Sequence, residues 1–302
     1  MRKILSSLLI AGLVFTACTS TTSEKDVSEK DVTKNTSKQQ AAPKPQTTII
    51  PGGMDKGLRV FADGSMQRNG IRVSPVKNSP EFQDAKLNLL QPKDGADLSG
   101  TTNFEFEVEN YTLGNQTPDA KDKMCSNSKK GQHIHSILNN KPYNAYYEPK
   151  FSQNLDDGYY IHLAFLSRSY HESIKTEDAF QLSEFSVGGA TQKLNFDREA
   201  PNLFYSRPKG NYIGEGNIEK ILLDFFLVNT DLDVRGNKIK LSVNGTEFIL
   251  TKWVPYFIEG MKLGSNIIVM ELIDNKGKKL PGPFNFVQRK VFLYEDEPII
   301  PN

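Results

Sequence analysis

The chain has only two cysteines, Cys18 and Cys125. Two are too few for a disulfide framework, so the fold must rest on packing. Net charge is +1, which gives no basic field to attract nucleic acid, and nucleic acid is not expected as a partner. No apolar run reaches the ~18 residues or more that a membrane-spanning helix needs. No Gly-x-Ser-x-Gly elbow and no His-Glu-x-x-His helix is present, and the chain is not expected to be an enzyme. Histidine is scarce as well. All four histidines, His133, His135, His162 and His171, fall between Gly131 and Ser173, and any chemical site is expected there.

The first residues, 1–17, read as a targeting segment. Arg2 and Lys3 precede an apolar stretch, Ile4 to Val14, that is too short to span a bilayer. Phe15-Thr16-Ala17-Cys18 resembles a bacterial lipobox, although Phe15 replaces the usual Leu. The resemblance implies cleavage before Cys18 and lipidation of its thiol and amino group, an anchoring far stronger than a single acyl chain gives. Thr19 follows Cys18, which by the same resemblance favours the outer membrane, on its periplasmic face or at the cell surface. Residues 18–53 are rich in Ser, Thr, Lys, Gln and Pro and contain a short direct repeat, SEKDVSEKDV. They cannot bury enough apolar surface to order themselves and are expected to form a disordered tether.

Residues 54–84 are expected to form a weakly structured lead-in, in which LRVFADG and GIRVSPV read as a short hairpin. The chain then repeats itself. Leu89–Gly95 matches Phe204–Gly210, and Phe104–Asn110 matches Leu223–Asn229. Gly131–Asn140 matches Gly236–Gly245, and Gly158–Leu166 matches Gly264–Leu272. Each copy holds short alternating apolar segments rich in Tyr and Phe, separated by Gly, Asn, Asp and Pro. Asn244-Gly245 is the strongest hairpin signal. The expected class is all-β: two tandem immunoglobulin-like β-sandwich domains, over 85–190 and 198–295.

The duplication provides an internal comparison for the histidines. His133 and His135, at i and i+2, face one side of a strand. Lys238 and Lys240 stand in their places in the second copy, and lysine is rarely buried unpaired. This face is therefore expected to meet solvent in both copies, with Ile134 and Ile239 turned to the core. His162 stands where the second copy has Ile268, a partly buried position in which an imidazole needs a polar partner or a role. His171 lies in a loop with Arg168 and Glu172. A loop between Asn110 and Gly131, about 14 residues longer than its counterpart, carries Met124 and Cys125.

Three chemistries are open. His133 and His135 with His162 or His171, completed by Cys125, Met124 or Glu172, suit copper or zinc. Arg168 and Arg207, each preceded by Ser (Ser167, Ser206), with Glu172, Lys209 and the histidines, suit an anionic peptide or glycan ligand. Ser169, His171 and Glu172 are neighbours in sequence, but a triad is set by geometry and not by adjacency.

GQHIHSILNNKPY, AFLSRSYHES, LFYSRPKG, ILLDFFLVN and FILTKWVPYFIEG together resemble a two-domain lipoprotein family of Bacteroidetes-type bacteria whose members carry the label "phosphopeptide-binding protein". The resemblance spans about residues 85–295 and implies source, address and fold. No forkhead-associated pattern accompanies it. The expected function is a non-catalytic binding or assembly subunit, lipid-anchored at the outer membrane beside other outer-membrane proteins. Metal binding and anionic-ligand binding are the alternatives.

Overall fold

The computed structural model describes residues 57–123 and 127–298. The signal segment, Cys18, the whole of the expected tether, Met124 and Cys125 lie outside the described residues. Nearly all the regular structure of the described chain is strand, and its longest helix is the single turn α1 (Glu215–Ile218). No helix among the described residues is long and apolar enough to cross a membrane.

The lead-in contributes β1 (Arg59–Val60), β2 (Met66–Arg68) and β3 (Ile71–Pro75). The first sandwich comes next, with β4 (Lys86–Gln91), β5 (Asp97–Leu98), β6 (Thr101–Glu109), β7 (His133–Leu138), β8 (Asn144–Tyr146), β9 (Lys150–Asn154), β10 (Gly158–Ser167) and β11 (Phe180–Val187). The second has β12 (Asn202–Arg207), β13 (Gly210–Ile213), β14 (Lys220–Val228), β15 (Lys238–Val243), β16 (Thr246–Leu250), β17 (Tyr256–Glu259), β18 (Gly264–Ile273) and β19 (Phe286–Tyr294).

The first sandwich sets the sheet β4-β6-β9 against β5-β11-β10-β7-β8. The second repeats this connectivity strand for strand, with β12-β14-β17 against β13-β19-β18-β15-β16. In each copy the short second strand leaves the first sheet and pairs parallel with the last strand. In each copy the first strand also shifts register near its end, at Leu89/Gln91 and at Tyr205/Arg207. These shared details identify the two immunoglobulin-like β-sandwiches as copies of one unit.

Two findings differ from the sequence expectation. The lead-in is not weakly structured. β3 pairs with β17 and extends the sheet of the second sandwich, and Ile71 and Val73 enter that sandwich's core. The two copies also share a third core. Ile137, Ile161, Leu163 and Phe165 from β7 and β10 pack on Phe204, Phe226 and Val228 from β12 and β14. Strand alternation explains how one strand serves two cores. Ile134 and Leu166 point into the first sandwich, while their neighbours on the other face point at the second. Asn140 stitches this junction: its side chain donates to Leu203 O at 3.0 Å and accepts from Tyr205 N at 2.9 Å.

Candidate metal centre

His133 and His135 lie on the face of β7 that the second sandwich covers. Both are 0% exposed, not solvent-facing as the lysine comparison implied. Among the described residues, none of another domain covers the equivalent face of the second copy. There Lys240 pairs with Glu271 at 2.5 Å, and both side chains keep partial solvent exposure. The comparison fails because tandem packing makes the two copies unequal.

His171 comes from the loop after β10. The loop closes on itself: Arg168 N donates to Glu172 O at 2.9 Å, His171 N to Arg168 O at 2.9 Å and Ile174 N to Leu166 O at 2.8 Å. His171 has φ +67°, a left-handed conformation that is uncommon outside glycine, although histidine enters it more often than most residues do, as asparagine and aspartate do. The Arg168 guanidinium fastens the loop through Pro80 O and Ser173 O. Thr117 and Ser169 exchange backbone-to-hydroxyl hydrogen bonds, which ties the long 112–131 loop to the same turn.

The outcome is a cluster of three imidazoles. His133 Nε2 lies 2.9 Å from His135 Nε2 and 3.0 Å from His171 Nδ1, and His135 Nε2 lies 3.3 Å from His171 Nδ1. Ligands at about 2.0–2.1 Å from a tetrahedral ion stand ~3.3 Å apart, so the triangle has the size of one face of such a site. His133 Nδ1 donates to Gly131 O at 2.8 Å, which leaves its Nε2 lone pair facing the cluster. A Cβ on Gly131 would meet Gly114 O at 2.3 Å, so only glycine lets this carbonyl sit where it does. His135 Nδ1 meets Ser206 Oγ at 3.2 Å. A hydroxyl can donate or accept, so Ser206 suits either tautomer. Outer partners of this kind orient the imidazoles of metal sites.

Burial pulls the His133 imidazole down to about 4 and holds His135 and His171 well below the ordinary histidine range. Arg207 and Lys209 add repulsion against a proton on any of the three. All three rings are thus neutral near pH 7, the form that binds metal. His133 Nε2 can only accept, from an N–H on His135 Nε2 or on His171 Nδ1, so the three close contacts cannot all be hydrogen bonds, whereas a cation at the centre satisfies all three nitrogens. Tyr143 stacks on His135, with ring centroids 3.6 Å apart. Its hydroxyl lies 3.2 Å from His171 Nδ1 and accepts from Arg207 Nε at 3.1 Å. Tyr147 lies over His133, with centroids 5.0 Å apart.

His162 does not join the cluster. It points the other way from β10, into the core of the first sandwich. There Ser136 Oγ lies 2.9 Å from Nε2 and Ser183 Oγ 3.4 Å from Nδ1, and Phe104, Phe106 and Phe185 surround the ring. Cys125 and Met124 lie outside the described residues. Glu172 accepts from Ser79 Oγ at 2.6 Å and lies 4.0 Å from Lys123. Arg168 spends its N–H groups on main-chain carbonyls, whereas Arg207 reaches the cluster through Tyr143. Of the adjacent Ser169, His171 and Glu172, each bonds in a different direction, and they do not assemble as a triad. Tyr143 and Ser206 are the members that sequence reasoning did not place. Ser206 was visible only as a neighbour of Arg207, and Tyr143 only as the last residue of the GQHIHSILNNKPY stretch.

No protein-family description matches the chain, and no curated protein matches it. Among solved structures it is similar to fibronectin(III)-like modules of Clostridium thermocellum CbhA. That likeness has 11% identity and a TM-score of 0.25, and covers 72% of this chain and 98% of that one. It is also similar to SGBP-B of the Bacteroides ovatus mixed-linkage glucan utilization locus, a structure in complex with a mixed-linkage heptasaccharide. There the identity is 11% and the TM-score 0.20, over 68% of this chain and less than half (47%) of the other. At such identities and scores neither likeness bears on function.

Proposed function

We propose that this chain is a metal-binding protein of the cell envelope, lipid-anchored to the outer membrane through Cys18. It would hold one copper or zinc ion on His133, His135 and His171. The observation that carries this reading is the convergence of three neutral imidazole nitrogens within 3.3 Å of one another. They form the one group of three or more metal-ligand side chains found among the described residues. All-nitrogen donors suit copper or zinc better than the hard cations. Elemental analysis of the full-length protein, extracted in mild detergent, tests it. One ion per chain is expected, and it should be lost in His133→Ala/His135→Ala. A wild-type protein that carries no metal and takes up none on titration would refute the reading. For the anchor, Cys18→Ser is expected to move the protein from the detergent phase to the aqueous phase.

An assembly role is a second reading, and one observation favours it. On the second sandwich, Ile249, Ile267 and Phe286 are exposed along the sheet whose counterpart in the first sandwich is covered. In the strand register the Lys240–Glu271 pair stands between Ile249 and Phe286, so these are spaced apolar side chains on a mixed face that is left for a partner to cover. Cross-linking in intact cells tests this. If lysine or glutamate in place of Ile267 and Phe286 leaves the pattern of cross-linked envelope proteins unchanged, this face is not the contact.

A further inference from the structure

A metal centre held by three protein nitrogens has a fourth position to fill, and any assignment of that position rests on the metal reading proposed for the site. The rings of His135 and Tyr143 are nearly parallel, with 11° between their planes and 3.6 Å between their centroids. An ion bound through His135 Nε2 sits close to the plane of that ring, because the lone pair does. The Tyr143 oxygen sits in the plane of its own ring. Stacking therefore keeps oxygen and ion on the order of 3–3.5 Å apart, beyond the ~2.0–2.2 Å of a zinc–oxygen bond. Tyr143 is too far to be the fourth ligand and well placed to hydrogen-bond a ligand that occupies the position.

The other contacts of Tyr143 agree. Its oxygen accepts from Arg207 Nε at 3.1 Å. Once His171 Nδ1 binds an ion, the lone pair that could take the phenolic proton is used, and that proton is free to point at a bound ligand. Charge points to what the ligand is. No carboxylate belongs to the cluster among the described residues, and Arg207 and Lys209 both act on its histidines. The loaded site is thus rich in positive charge, and His171 keeps it partly open to solvent.

We propose that the loaded centre keeps one coordination position for a small exogenous anion, hydroxide or a small carboxylate. Tyr143 orients this anion by donating a hydrogen bond, and Arg207 holds Tyr143. The centre is then an open site of the reactive or ligand-sensing kind, not a closed structural one.

The test is a titration of the full-length protein, loaded with Co2+, with azide while the visible cobalt bands are followed. A saturable change is expected. Tyr143→Phe should bind Co2+ with the same stoichiometry and azide on the order of tenfold more weakly, the worth of one hydrogen bond to a charged acceptor. Equal azide affinity in the variant overturns the role of Tyr143. Cobalt bands indifferent to azide overturn the open position and leave the metal reading standing. A sulfur-to-cobalt band abolished by Cys125→Ser also overturns it, because the chain itself would then fill the position. Failure to take up Co2+, Zn2+ or Cu2+ removes both readings. The wild-type titration decides the open position whatever the stability of the variants.

Discussion

Two kinds of buried histidine occur within one strand pair, and they serve opposite ends. His162 is a core residue with two serine partners. Burial pulls its imidazole down to about 3. Above pH 6.5 it is neutral both folded and unfolded. As pH falls below 6.5, the unfolded chain takes up a proton that the folded chain refuses until about pH 3. Its contribution to stability is therefore complete above pH 6.5 and declines through this window by about 1.4 kcal/mol per pH unit. His162→Leu, which copies the aliphatic residue of the second sandwich, is expected to flatten the acid side of the stability curve by that slope. Urea denaturation between pH 4 and 7 measures it, and an unchanged slope would mean that His162 is not held neutral. Much of this was legible in sequence. The pairing of His162 with Ile268 marked a core position, and the period of two put His133 and His135 on one face. What covers that face was not legible, because Lys238 and Lys240 report on a copy against whose equivalent face no second sandwich packs among the described residues. His171 gave no local sign of its destination, since a left-handed residue in a loop is placed by the whole turn around it.

Among the strands, β7 and β10 each serve two cores, and the stacked pair Phe165 and Phe226 joins them across the junction, with centroids 4.9 Å apart. Both rings are 0% exposed. Phe165→Ala and Phe226→Ala are each expected to cost about 3–5 kcal/mol. Because the rings touch, the double variant should cost less than the sum, with a coupling of about 0.5–3 kcal/mol. Chemical denaturation of the four proteins measures it, and strict additivity would mean that the junction does not persist in solution. The same junction brings Ser206, Arg207 and Lys209 to the histidines, so the losses should extend to metal affinity. Repeat matching found the strands because each copy must satisfy its own sheet. It could not find the junction, because nothing in either copy alone requires it.

In the assembled molecule, the three candidate ligands, with Gly131 and Tyr143, come from the first sandwich, and Ser206, Arg207 and Lys209 come from the second. An ion that binds only the docked arrangement stabilises both sandwiches together. At about 100-fold excess over Kd the gain is about 2.7 kcal/mol, which corresponds to a rise in Tm on the order of 5–10 °C. Calorimetry is expected to show one transition that moves upward with Zn2+ or Cu2+ and returns with chelator. Two transitions, of which only one responds, would mean that the sandwiches unfold independently.

The placement of β3 has a further consequence, one of order in time. Ile71 and Val73 emerge before any residue of the first sandwich, yet their partner strand β17 is made after all of it. The second domain is thus discontinuous, begun before its neighbour and completed after it. A chain stopped near residue 190 would hold every strand of the first sandwich and leave this early segment unpaired, an apolar edge open to misassociation. Such closure over a long span slows folding. Until the chain is complete an early strand must wait for nearly the last, and what protects it in the interval matters as much as the finished structure.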